Sequence, residues 1–152
     1  MKNKQQPTEE KIYEFESGIY PRKFCVYFGR NAEFITRSFD PITDMTETAQ
    51  LKDVETWFDA AGITTRAHQS TTDLKCILMC FPMTDKFDFL ENLRTFVHEA
   101  IHACDVLFQD LGLVAQDFDE GNEAYVYLTE WIFANIYESY LKYKDEYKTS
   151  RK

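Results

Sequence analysis

No stretch of eighteen consecutive apolar residues occurs in the 152-residue sequence, so nothing in it has the length and polarity of a membrane-spanning helix. The opening MKNKQQPTEEK lacks the apolar core and small-residue cleavage site of a secretory leader, which sets the expectation of a soluble, cytoplasmic protein with no membrane partner. Positive charge is also scarce. Seventeen Lys and Arg against 26 Asp and Glu give a net charge of −9, which argues against a broad phosphate-neutralising surface and therefore against nucleic-acid binding. Cys25, Cys76, Cys80 and Cys104 form no C-x-x-C pair and sit in apolar contexts such as FCVYF and KCILMCF, so they are expected as reduced, buried thiols. Internal repeats and low-complexity segments are missing.

What the chain does have is 44% hydrophobic and 16% aromatic residues, enough for one domain with a core. Residues 1–11 are polar and are expected to be a flexible N-terminal segment, and the dense charges of 146–152 a tail. Phe24–Phe28 reads as an apolar strand and Glu33–Phe39 as a second, joined as a hairpin through Gly29, Arg30, Asn31 and Ala32. Between Glu47 and Ala61, Leu51, Val54, Trp57 and Phe58 recur at helical spacing, with Gly62 placed to stop the helix. Ile63–His68 reads as a short strand, and Leu74–Phe81 as a central one. A long helix is expected after a cap at Thr84 or Asp85, carrying Phe87, Leu90, Leu93, Val97, Ile101, Cys104, Phe108 and Leu111 to a stop at Gly112. A last helix begins near Asn122 with Ala124, Leu128, Trp131, Ile132 and Ile136 inward. The order is α+β, with a small, mostly antiparallel sheet packed on a long helix and a C-terminal one.

The long helix contains His98-Glu99-Ala100-Ile101-His102, an H-E-x-x-H motif. Residues four apart lie one above the other on a helix, so two imidazoles can reach one zinc ion at ~2.0–2.1 Å. The intervening glutamate can then act as general base toward a zinc-activated water. Chance would place such a motif in roughly one chain in two hundred of this histidine and glutamate content, and it uses two of the three histidines. His68 has no motif around it and reads as a surface residue. The longer H-E-x-x-H-x-x-G-x-x-H pattern is excluded, because Asp105 and Phe108 stand where glycine and histidine would be. A di-iron bundle is disfavoured because Glu99-x-x-His102 is a single copy of a motif that this architecture needs twice.

Gly121-Asn122-Glu123-Ala124 opens the last helix. H-E-x-x-H followed across a loop by an N-E-A helix resembles the gluzincin, thermolysin-like metallopeptidases over roughly Thr84 to Ile136. The F-V-H-E-A-I-H-A and N-E-A-x-x-Y-L segments, with the FCVYFG strand, also look like small phage and prophage proteins assigned as metallopeptidases. The resemblance implies a minimal zincin-like domain at residues 12–145, zinc as cofactor, His98, His102 and Glu123 as ligands, Glu99 as general base, and a peptide or protein substrate received in extended form along the sheet edge. Where the gluzincin pattern has an aspartate that orients a ligand histidine, this chain has Tyr127; Asp105 and Glu130 are the alternative carboxylates, and Asp105 is also a rival third ligand. Tyr125, Tyr127, Tyr137 and Arg94 are the residues that could stabilise an oxyanion. A competing reading keeps the zinc and makes the protein a non-catalytic phage- or prophage-derived module with a structural or relic site.

Overall fold

A computed structural model describes residues 9–41, 54–83 and 88–150. Its fold is α+β. Five strands, β1 (Ile12–Glu16), β2 (Lys23–Phe28), β3 (Phe39–Pro41), β4 (Ile63–Gln69) and β5 (Leu74–Phe81), form one sheet in the order β1-β2-β5-β4-β3. The sheet is mixed: β2 runs parallel to β5, while β1–β2, β4–β5 and β3–β4 are antiparallel. Helices α1 (Ala32–Ser38), α2 (Val54–Trp57), α3 (Phe89–Leu111) and α4 (Glu123–Thr149) complete the fold, with a 3-10 turn at Phe118–Glu120 between the last two.

The central strands are apolar throughout because both their faces are covered. Phe24, Val26 and Phe28 of β2 and Ile77, Met79 and Phe81 of β5 share a core with Phe96, Ala100, Ala103 and Leu107 of α3 and Leu128, Ile132 and Ile136 of α4. The alternate residues, Cys25, Tyr27, Cys76, Leu78 and Cys80, pack with Ile35 of α1 and with Val54 and Trp57 of α2. This period-two division follows from the pleat, and each fully buried large side chain contributes about 1.5–3 kcal/mol through removal from water. All four cysteines are free and buried, as their apolar contexts indicate.

Two local expectations are corrected. Glu33–Phe39 is mostly helix α1, because Asn31 caps it by accepting from the Phe34 amide at 3.0 Å, with Glu33 in the first turn and Arg37 in the last; that N-cap outweighs the β-branched content. The hairpin partner of β2 is therefore β1, across the Gly18–Pro21 turn. Helix α2 ends at Trp57, so Gly62 is not its stop; residues 47–53 of the expected helix lie outside the described residues. β4, β5 and the αL cap of α3 at Gly112 follow the sequence reading. Thr84, Asp85 and Phe87 lie outside the described residues, and the cap of α3 is Asp88, which accepts from the Glu91 amide. The last helix continues to Thr149, into the stretch expected as a tail. Among the described residues no helix is long and apolar enough to cross a membrane.

Candidate metal-binding and catalytic site

Helix α3 lies across β4 and β5 and against α4, and its 100° step per residue sorts its side chains among those neighbours. Phe96, Ala100, Ala103 and Leu107 point to the sheet. Cys104 and Phe108 meet α4, where the Cys104 Sγ lies 3.7 Å from the Tyr125 carbonyl oxygen and the Phe108 ring packs edge-on to that of Tyr125. His98, His102 and Asp105 fall within an arc of about 60° on the remaining flank.

There the two imidazoles converge. Their Nε2 atoms are 3.0 Å apart, with the rings nearly perpendicular at a centroid distance of 4.6 Å, and both residues are exposed. Glu99, one step round the helix toward the sheet, is only 4% exposed. Thr64 of β4 donates its hydroxyl to the Glu99 Oε2 at 2.7 Å, so the buried carboxylate is satisfied and held. Gly62 makes the close approach possible. A Cβ there would stand 2.8 Å from Glu99 Cγ and 2.9 Å from Thr95 Cγ2, so only a residue without a side chain lets the strand entrance cover the glutamate.

These groups open into one cleft of about 370 Å³, walled by Gly62, Ile63 and Thr64 on one side and by His98, Glu99, His102 and Asp105 on the other. Asp105 accepts a 2.6 Å hydrogen bond from the Tyr125 hydroxyl. Burial, and then that hydrogen bond to a carboxylate, hold the Tyr125 phenol well above its ordinary pKa, so Tyr125 is a neutral donor at physiological pH. Further along α3, Asp110 accepts from Arg66 of β4 at 2.6 Å and from Arg22 at 3.3 Å, and Gln109 accepts from the same Arg66 guanidinium at 3.0 Å. This network pins the end of the helix to the sheet.

The other candidates from sequence are distributed differently. Glu123 is exposed on the first turn of α4, and Tyr127, 64% exposed, and Glu130 lie outside the cleft wall. Tyr137 packs on Phe89 and Phe133, and Arg94 pairs with Glu91 at 3.0 Å. His68 is half-buried on β4, with Nδ1 3.6 Å from Asp73 Oδ1, away from the imidazole pair. Thr64 and Gly62 are the site residues that sequence did not reveal; a strand threonine and a loop glycine carry no signal until the helix that covers them is known.

Two nitrogens bound at about 2.0–2.1 Å to one tetrahedral ion are separated by about 3.3–3.4 Å. The observed 3.0 Å is shorter than that and is the distance of a direct N–H···N hydrogen bond between the rings, so the imidazoles would have to part by about 0.3–0.4 Å to share an ion. Among the described residues no group of three or more His, Cys, Asp or Glu side chains is gathered to hold a metal; the imidazole pair is the assembled part, and neither Asp105 nor Glu123 is drawn in to it. No protein-family profile, curated protein or solved structure matches this chain.

Proposed function

We propose that the protein is a zinc-dependent hydrolase acting on peptide bonds, of the gluzincin, thermolysin-like kind. The observation that carries the reading is the convergence of two exposed imidazoles and one buried, oriented carboxylate on a single cleft beside a strand. His98 and His102 would hold the zinc through their Nε2 atoms, with a carboxylate, Asp105 on the cleft wall or Glu123 on α4, as third protein donor. When bound, zinc supplies a Lewis acid that polarises the scissile carbonyl and acidifies a water. Glu99 accepts that water's proton and delivers it to the leaving amine. Thr64 fixes the carboxylate from the opposite side. Tyr125 gives its one O–H to Asp105, so its role would be to orient that carboxylate on the cleft wall and not to donate to an oxyanion.

The substrate would lie extended along β4, where main-chain groups can pair with it. Among the described residues, β3 covers only Ala67–Gln69 of that strand's outer edge, leaving Gly62–Thr64 as the cleft wall.

The test is zinc stoichiometry by elemental analysis together with cleavage of a peptide library. Wild type should bind one zinc, His98→Ala and His102→Ala should lose it, and Glu99→Gln should keep the metal and lose hydrolysis. Zinc binding by wild type with no cleavage, and no difference for Glu99→Gln, would favour the non-catalytic reading. No zinc bound to the wild type after reconstitution would overturn the proposal.

A further inference from the structure

We infer that the protein pairs with a second copy of itself, antiparallel, through the face of α4 that points away from the sheet. Of the twelve large apolar side chains exposed among the described residues, ten lie between Phe89 and Leu141, so the uncovered apolar surface belongs to α3, α4 and the loop between them. Both helices have already buried one face. Phe96, Ala100, Ala103 and Leu107 of α3 and Leu128, Ile132 and Ile136 of α4 share the core with the sheet. A 100° step per residue places Glu123, Tyr127, Glu130, Ala134, Leu141 and Lys148 of α4 within an arc of about 60° on the side opposite Ile132, and all six are exposed. With Tyr137 and Lys144 at the edge of the arc, the spacing alternates four and three residues along the whole helix, the repeat of a helix-pairing seam. On α3, Leu90, Val97 and Ile101 fall within about 40° of one another and are 64%, 42% and 41% exposed. The apolar surface thus runs over both helices, as interaction surfaces do.

The charges decide what covers it. The first half of the seam carries Glu123 and Glu130, and the second carries Lys144 and Lys148 against a single Asp145. Glu138 and Lys142, four apart outside the arc, balance in charge, and Glu146 is held by Lys11 and Tyr13. Among the described residues none of Glu123, Glu130, Lys144 and Lys148 enters an ion pair.

A twofold axis midway between Ala134 and Tyr137 joins residues equally far from that point. Glu123 then meets Lys148, Tyr127 meets Lys144 beside Asp145, and Glu130 meets Leu141 within one turn of Lys144. The small Ala134 at the axis lets the helices approach closely. Each acidic end lies on a lysine end, the self-complementarity that an isologous interface requires. An anionic lipid surface is opposed by the glutamate end and a basic helix by the lysine end, whereas an antiparallel copy matches both. The inference uses neither zinc nor cleavage and stands apart from the reading of the cleft.

Sedimentation equilibrium of the full chain between about 5 and about 200 µM tests it. Wild type should be a dimer at the upper concentrations, with a dissociation constant several-fold larger at about 500 mM than at about 50 mM NaCl. Ala134→Arg, at an exposed position beside the axis, should raise that constant at least about tenfold. Glu123→Lys with Glu130→Lys should do the same, and so should Lys144→Glu with Lys148→Glu, because each pair of changes sets like charges opposite one another. Mixed in equal amounts, the two charge variants should recover pairing as a mixed dimer, since every reversed contact is then matched. Circular dichroism of each variant checks that its helices are intact. A wild type that stays monomeric at about 200 µM would overturn the inference. So would a dimer untouched by Ala134→Arg, or charge variants that pair no better together than apart.

Discussion

Replacing Gly62 by alanine tests the architecture of the site more sharply than removing any of its polar groups. The added Cβ would lie 2.8 Å from Glu99 Cγ, 2.9 Å from Thr95 Cγ2 and 3.0 Å from Glu99 Oε1. Carbon atoms at rest sit about 3.5–4.0 Å apart, so either the strand entrance or the glutamate must retreat by roughly 0.7–1 Å. The atom struck is Cγ, in the middle of a side chain held at its far end by Thr64, and rotation of a free tip cannot relieve the clash. Overpacking of this size costs about 1–3 kcal/mol, and for a chain of this length about 2–4 °C in Tm per kcal/mol. If Glu99 is the base, an ångström of displacement also lowers hydrolysis by about a hundredfold. The imidazoles lie farther round the helix, so zinc affinity should hardly change. Calorimetric Tm, zinc titration and peptide hydrolysis on Gly62→Ala read the three effects separately. A variant with unchanged Tm and unchanged hydrolysis would refute the claim that glycine is required for the strand to cover Glu99.

Asp110→Ala should destabilise the protein by about 3–5 kcal/mol, because it leaves Arg66, whose side chain is 8% exposed, without its carboxylate; a urea midpoint within about 0.5 kcal/mol of wild type would show the pair to be dispensable. Unfolding free energy should fall as pH rises above about 9. Burial lifts the Cys104 thiol from 9.0 to about 11 and raises the phenols of Tyr13, Tyr27 and Tyr125. The folded state thus favours their protonated forms, and this contribution is complete below the unfolded pKa values and lost through the folded ones. Cys104 alone accounts for on the order of 2 kcal/mol by pH 11, so urea melts at pH 8 and 10.5 that coincide would contradict the assignment. The third zinc donor is identified by affinity: loss of about tenfold or more in Asp105→Ala with Glu123→Ala unchanged assigns Asp105, and the reverse assigns Glu123.

Much of this was legible before any coordinates. Helix α3 announces itself through its apolar spacing and Gly112, although Leu90, Val97 and Ile101 of the expected stripe are exposed and Phe96, Ala100, Ala103 and Leu107 are buried beside Cys104 and Phe108, and the H-E-x-x-H spacing alone brings His98 and His102 onto one flank. β5 is readable as a central strand because a strand buried on both faces must be apolar at every position. Helix α1 was not readable from composition, since Phe34, Ile35 and Thr36 favour a strand, and what decides is a single side-chain bond from Asn31. Thr64 and Gly62 were hidden for another reason. Their roles depend on how β4 registers against α3, a tertiary relation that leaves no periodic trace in either segment. The Arg22–Asp110–Arg66 cluster likewise joins residues 44 and 88 positions apart.

The exposure pattern of the motif follows from the double duty of α3. Taking Glu99 as zero, the sheet-facing residues Phe96, Ala100, Ala103 and Leu107 occupy about +40° to +100°, and His102, His98 and Asp105 occupy about −60° to −120°. Glu99 falls between the two stripes. It is thus the one polar residue of the motif that the core's edge must cover, and it is covered by the Thr64 hydroxyl of β4 and by Gly62 just before that strand, while Arg66, two residues on along the same face, serves Asp110 and Gln109 farther down α3. A helix carrying the same five residues in another rotation would bury an imidazole and expose the carboxylate. The sheet register that pairs Thr64 with Met79 on the α3 face therefore fixes which member of the triplet is dry. A Thr64→Val change keeps the volume and removes the donor, leaving a buried carboxylate oxygen without the hydrogen bond it now accepts, which should cost about 1–3 kcal/mol. Urea unfolding should show that loss in Thr64→Val and its recovery in Thr64→Ser. A Thr64→Val variant as stable as wild type would show that burial by the strand, not the hydroxyl, holds the glutamate.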